Sequence, residues 1–283
     1  MDKHIFDFTD QRLDAGIAEH CALTVLAGTE GFSFACTGPD GNTLALKSWQ
    51  YPLNGRDTHE EETEMRKIFG AEQVLSLPFG SMSCAFFNRN TTLVPRRMFD
   101  GDRLSAYFNL LLPPAEYEYG YDILPEFECF LVYALPPSPL RICRQYFPEG
   151  RIMHLATPLL KRFRDLASRT DYSVFVNVRN QAAQIAVFDR LNLLFYNTFS
   201  CPKPADLLYF ALLAYDQFRL GPEDIPLTAC GLLQEDSDAF RLLSRYIRDI
   251  RFAGIPASFQ RPPAVSAGSE HYWFDLYTVA STP

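Results

Sequence analysis

Residues 22–51 read ALTVLAGTEGFSFACTGPDGNTLALKSWQY, a stretch that punctuates itself. Apolar runs at 23–26, 32–36 and 44–49 are separated first by Gly28 and Gly31, then by Gly38-Pro39-Asp40-Gly41. Gly-Pro and Asp-Gly are strong turn formers, so three strands in an antiparallel meander are predicted. The following segment, 59–69, carries Glu60, Glu61, Glu62 and Glu64 near its start and then Met65, Ile68 and Phe69. Negative charge suits the first turn of a helix, and the three apolar residues supply its buried face. The four glutamates are read as a solvated helix start.

The same layout returns at residues 172–200, YSVFVNVRNQAAQIAVFDRLNLLFYNTFS, displaced by 150 residues (172 minus 22). Runs at 174–178, 184–188 and 193–199 form the second meander, with Asp189-Arg190 between the last two. After the breaker Cys201-Pro202-Lys203-Pro204, residues 205–220 read as a helix with Leu208, Leu212 and Tyr215 on one face. Only the pattern repeats, not the residues, and a period this long indicates duplication of a domain rather than a solenoid. The expected division is a first half at 1–156, a connecting helix at 157–170 and a second half at 171–283.

Both copies continue with alternating strands and helices. In the first, 72–77 and 84–88 are expected to be extended, 101–112 helical and 127–134 a strand. Pro136-Pro137-Ser138-Pro139 ends that strand. Thr157 is expected to cap a helix with Pro158 at its first position, carrying Lys161, Arg162, Arg164 and Arg169 on its polar side. In the second copy, 226–229 reads as a strand, 238–250 as a helix and 271–280 as a closing strand.

Composition is that of an ordinary globular protein: 47% apolar, 21% charged, with 24 Phe and 14 Tyr in 283 residues. A formal net charge of −8 works against sequence-independent nucleic-acid binding, which draws on clustered Lys and Arg. The charged start lacks the apolar segment of a secretory signal, and no run reaches the ~20 apolar residues of a membrane span. Seven scattered cysteines without such a signal read as reduced thiols, so a cytoplasmic location is expected.

A repeated β-β-β-α unit, extended by strand–helix alternation, resembles the actin-like ATPase (ribonuclease H-like) fold, a duplicated α/β architecture with a cleft between its halves. The chain looks like a bacterial family of uncharacterised proteins with this fold and is more distantly similar to PilM-type pilus-assembly proteins. The resemblance rests on Glu30-Gly31-Phe32-Ser33-Phe34, on Tyr107-Phe108-Asn109-Leu110-Leu111-Leu112-Pro113 and on Val132-Tyr133-Ala134-Leu135-Pro136. It extends over nearly the whole chain.

That resemblance implies a mechanism to compare. Active members hold ATP between the halves, with its phosphates in two β-hairpins that open with Asp-x-Gly; the aspartates serve Mg²⁺ and water, and a Gly-Gly turn packs on adenosine. Here the first hairpin carries Gly28, Thr29, Glu30 and Gly31, with no aspartate in the loop. In the second, Asn177 stands where an aspartate belongs and Arg179 fills the glycine position. The adenosine turn, Ala229-Cys230-Gly231, keeps Gly231 alone. The expectation is therefore a degenerate, non-catalytic scaffold with a vestigial cleft and no cofactor. The alternative is a diverged ATPase or small-molecule kinase that binds ATP with Mg²⁺, using Glu30 or another carboxylate that the sequence does not place.

Other chemistry is sparse. The five histidines stand apart, and neither Cys-x-x-Cys, His-Glu-x-x-His nor a phosphate-binding P-loop is present. Gly80-Ser81-Met82-Ser83-Cys84 lacks the last glycine of a nucleophile elbow. Two surface features suggest a protein partner. Arg241, Arg245 and Arg248 are spaced to form one basic stripe on the predicted 238–250 helix, capped by Asp236 or Ser237; it is either a solvated face or a contact for an acidic partner or a nucleotide edge. Tyr117, Tyr119 and Tyr121 alternate in a predicted loop, either as an ordered lid or as an interface. By analogy with PilM, a peptide segment of a membrane-associated partner would dock beside these tyrosines.

Overall fold

Each predicted meander opens a larger sheet, and the two sheets follow one plan. The computed structural model describes residues 3–28, 31–51, 58–113, 115–179, 181–266 and 268–282. The first half runs β1 (Lys3–Thr9), α1 (Ala15–Ala18), β2 (Ala22–Gly28), β3 (Gly31–Thr37), β4 (Thr43–Gln50), α2 (Thr58–Ala71) and β5 (Ser81–Phe87). An insertion follows, β6 (Thr91–Pro95), β7 (Glu118–Leu124) and β8 (Cys129–Leu135), then α3 (Pro137–Tyr146), β9 (Arg151–His154) and α4 (Ala156–Leu166). The second half contains β10 (Tyr172–Arg179), β11 (Ala182–Asp189), β12 (Asn192–Ser200) and α5 (Pro204–Gln217). It ends with β13 (Leu227–Gly231), α6 (Asp238–Leu243), β14 (Ile250–Phe252) and α7 (Phe274–Ala280).

Strand order is β1-β4-β3-β2-β5-β9 in the first sheet and β12-β11-β10-β13-β14 in the second. Leaving out β1, both read third-second-first-fourth-fifth. The first three strands pair antiparallel in each, and the fourth and fifth join in parallel. The duplication seen as a pattern of apolar runs is thus a duplication of topology. The insertion makes its own three-stranded sheet, β6-β8-β7.

Alternation along the strands sets the layers. In β2, Leu23, Val25 and Ala27 pack outward with Met65, Ile68 and Phe69 of α2 and Leu140, Ile142 and Cys143 of α3. In β10, Val174 and Val176 pack with Leu207, Ala211, Ala214 and Tyr215 of α5. The intervening Leu26 and Phe175 turn inward to a shared core with α4 and α7. Both of these helices touch both sheets: α4 meets β9 and β11, α7 meets β2, β3, β5 and β13, and the two cross each other. Phe163 of α4 stacks on Phe175 at 4.6 Å and lies 6.1 Å from Phe274 of α7, so the halves are joined through aromatic contacts worth ~0.5–1.5 kcal/mol each beyond their area.

Five expected elements differ. The closing strand at 271–280 is a 3₁₀ turn (Glu270–Trp273) leading into α7, whose residues 274–279 are all buried. A short helix enclosed between two sheets has no polar face, so its period does not show in the sequence. The helix at 238–250 stops at Leu243, because Ile250 and Phe252 join the sheet edge beside β13 instead. Ser237 caps α6, accepting from the Phe240 amide. The extended segment at 72–77 is a 3₁₀ helix, Gln73–Ser76, whose first turn Glu72 caps by accepting from Val74 N. The 101–112 helix is 3₁₀ over Gly101–Phe108 and is broken at Arg103. Thr157 lies inside α4 rather than capping it; its hydroxyl donates to Asp122 at 2.7 Å and ties the inserted sheet to the helix.

Candidate functional site

The two meander turns meet at a cavity of about 380 Å³ between the halves. Gly28 and Gly31, at the ends of the β2–β3 turn, line one wall, and Arg179, at the end of β10, lines another. Thr29 and Glu30 of the same turn lie outside the described residues. Aromatic rings supply much of the remaining lining: Phe6, Phe32, Trp49, Phe87, Tyr272 and Trp273.

Asp275, at the start of α7, is the only carboxylate among the described lining residues. It is 1% exposed, and its Oδ2 accepts from Nη1 of Arg179 at 2.8 Å. The other oxygen accepts from the Leu276 amide. The arginine at the end of the second hairpin is therefore held by an acid 96 residues further on. The guanidinium offsets the charge of this buried carboxylate and occupies one of its oxygens, so the pair is held by the protein itself.

Asn177 stands behind this lining. It is fully buried, and its Nδ2 donates to Gln184 Oε1 at 2.9 Å. Gln184 donates onward to the Tyr196 hydroxyl at 2.7 Å, which lies 3.2 Å from Thr198 Oγ1. The Cys230 thiol, pushed up by burial, donates to Asn177 Oδ1 at 3.5 Å. The asparagine thus belongs to a row of polar side chains crossing β10, β11 and β12, and the opposed register of Asn177 and Gln184 explains an amide at both positions.

The glycines have separable causes. A Cβ on Gly31 would come within 2.6 Å of the Trp49 carbonyl, and Gly231 has φ +80 with Val178 O in the way of any side chain. Strand packing and the β13 turn demand both, with or without a ligand. Gly28 differs, since a Cβ there would sit 3.4 Å from Phe87 O, an ordinary contact.

The described lining fits ATP with Mg²⁺ poorly. Among the described residues no three His, Cys, Asp or Glu side chains cluster to hold a metal ion. The one carboxylate among the described lining residues is paired with Arg179.

The partner candidates separate in space. Tyr119 and Tyr121 lie on strand β7 rather than in a loop, with Ile123 following on the same face. Tyr121 stands edge-on to Phe99 at 4.8 Å, and Tyr117 is half-buried beside Tyr119 at 6.2 Å. Met98, Leu110 and Leu111, between β6 and β7 in the chain, are also exposed, Leu110 at 99%. The arginine stripe does not form. Arg241 is in α6, donating to Asp238 and to the Asp236 carbonyl, whereas Arg245 and Arg248 follow the helix in irregular turns.

Residues 10–250 match the family described as a protein of unknown function, DUF3822. The chain belongs to that family. A Bacteroides thetaiotaomicron protein with an actin-like ATPase fold and unknown function superposes with a TM-score of 0.75 at 21% identity, over 85% of this chain and 93% of that one. The PilM–PilN type IV pilus biogenesis complex gives 0.56 at 11% identity, over 92% and 97%. No curated protein matches. These likenesses agree with the strand orders above: the family member described here has the duplicated actin-like ATPase fold. No described helix is long and apolar enough to cross a membrane.

Sequence reading did not find Asp275 or the aromatic lining. Asp275 carries no motif, and its pairing with Arg179 exists only once α7 is a helix placed between the sheets.

Proposed function

We propose that this protein is a non-catalytic actin-like interaction module that receives an extended segment of a protein partner along β7. The free edge of β7 carries the reading. Among the described residues β7 pairs through its backbone with β8 alone, so its other edge presents unpaired N–H and C=O groups. Tyr119, Tyr121 and Ile123 stand exposed along one face of that strand. An unpaired edge with alternating side chains is the template for strand addition. PilM, a solved likeness, is seen in complex with PilN. That supports a partner-holding role.

The Arg179–Asp275 pair supports the non-catalytic half of the proposal, because hydrolysis needs free carboxylates where the pair is buried. Purified protein is expected to show no Mg²⁺-dependent ATP turnover above buffer. Turnover abolished by Glu30→Gln would instead establish the ATPase alternative.

The docking half is tested by photo-crosslinking. A crosslinking residue at Tyr121 is expected to capture one defined partner in the native host, and one at the exposed Tyr209 of α5 to miss it. Capture should disappear in a Tyr117→Ala/Tyr119→Ala/Ile123→Ala background. Equal capture from both positions, or capture unaffected by those substitutions, would remove β7 as the site.

A further inference from the structure

A second cavity, of about 480 Å³, lies at the far end of α7 from Asp275. Helix α4 supplies Lys161, Arg162 and Arg164 to its lining, and α7 with the residues after it supplies Thr278. Two observations set this cavity apart. The Nε atoms of Arg162 and Arg164 are buried and have no hydrogen-bond partner, and neither arginine makes an ion pair among the described residues. Thr278 is 1% exposed and its Oγ1 is likewise unpartnered.

Such groups are costly to leave unmet. A guanidinium keeps its charge at any ordinary pH and offers a rigid fork of donors matched to a planar or tetrahedral oxyanion. Two forks, a lysine and a hydroxyl around one cavity suit a phosphate group. The helix end that meets them does not compete, since the Thr278 carbonyl is already taken by Ser281 Oγ and Thr282 Oγ1, each at 2.9 Å.

The cavity is not purely basic. Glu126 and Asp165 also line it, with Glu126 Oε1 3.8 Å from Lys161 Nζ. Carboxylates oppose a bare anion but accept readily from hydroxyls. The ligand that satisfies both sets carries a phosphate at one end and hydroxyls at the other. We propose that this cavity binds a small phosphate monoester of a polyol or sugar. It is independent of the β7 surface and of the cleft.

Calorimetric titration of the full chain at low ionic strength, with glycerol 3-phosphate, inorganic phosphate and glycerol as probes, tests the assignment. Glycerol 3-phosphate is expected to bind more tightly than inorganic phosphate, and glycerol alone not at all. The Arg162→Lys/Arg164→Lys variant keeps the charge but loses the forks, and should bind at least roughly tenfold more weakly. Arg162→Met/Arg164→Met should not bind, and its unliganded thermal midpoint should equal or exceed that of the parent, because the arginines have no protein partner to lose. If the methionine variant does not fold, the lysine variant carries the comparison. No binding of glycerol 3-phosphate at millimolar concentration, or equal affinity in the parent and the lysine variant, would overturn the site.

Discussion

Replacing Arg179 by methionine keeps much of its stem and removes the charge facing Asp275. The carboxylate then has no cationic partner although it is 1% exposed. Removing one member of a buried pair typically costs ~3–5 kcal/mol. Unfolding entropy of ~2.1 cal/mol/K per residue gives ~0.6 kcal/mol/K for 283 residues, so the midpoint should fall by about 5–8 °C. Urea unfolding of both proteins at neutral pH reads this directly. Arg179→Met/Asp275→Leu should recover most of the loss. A single variant that loses under about 1 kcal/mol would refute the pair as the element that fixes the cleft.

Two further outcomes follow from the packing around Gly31 and His154. Gly31→Ala should destabilise by several kcal/mol because the Trp49 carbonyl occupies the space of its Cβ, while Gly28→Ala should change stability by less than about 1 kcal/mol; thermal unfolding of both separates strand packing from a phosphate cradle. His154 is fully buried, stacks on Tyr133 and is held down to about 3 by desolvation, so the unfolded chain binds its proton first as pH falls below the ordinary value of 6.5. Stability should decline by ~1.4 kcal/mol per unit from there toward pH 3, and His154→Phe should flatten that slope in urea midpoints. Asp122, raised by burial, acts in the opposite direction but is present in both proteins, so their difference isolates the histidine.

The meanders were legible because their punctuation is local. Gly41, at φ +79, sits in the turn that Gly38-Pro39-Asp40-Gly41 announces, and the strands it joins extend past the expected runs by a residue or so. Duplication was legible for the same reason, since two meanders followed by helices repeat although identity between the copies is negligible. The insertion was not. In β7, Tyr119, Tyr121 and Ile123 alternate as a strand should, but two prolines shortly before them favoured a loop. Helix α7 was hidden by its burial, and with it went Asp275. The roles of Asn177 and Arg179 depend on partners 7 and 96 residues away, which no spacing rule connects. The polar side of α4 was visible as charge, but its closure by Thr278 depends on α7.

Helix α7 also bears on how the chain is made. It covers the inner face of β2, β3 and β5, although more than 180 residues separate Phe274 from Phe87 (274 minus 87 is 187). A ribosome delivers the first sheet long before residues 274–280. Until those leave the exit tunnel, the inner face of that sheet lacks α7, and its apolar side chains stay open to water or to a chaperone. The first half therefore cannot complete itself in order of synthesis, as N-terminal domains usually do. Its last packing step waits on a segment translated well over 100 residues after β5, so a ribosome stalled before residue 274 should hold a chain that proteases still cut in β2–β5.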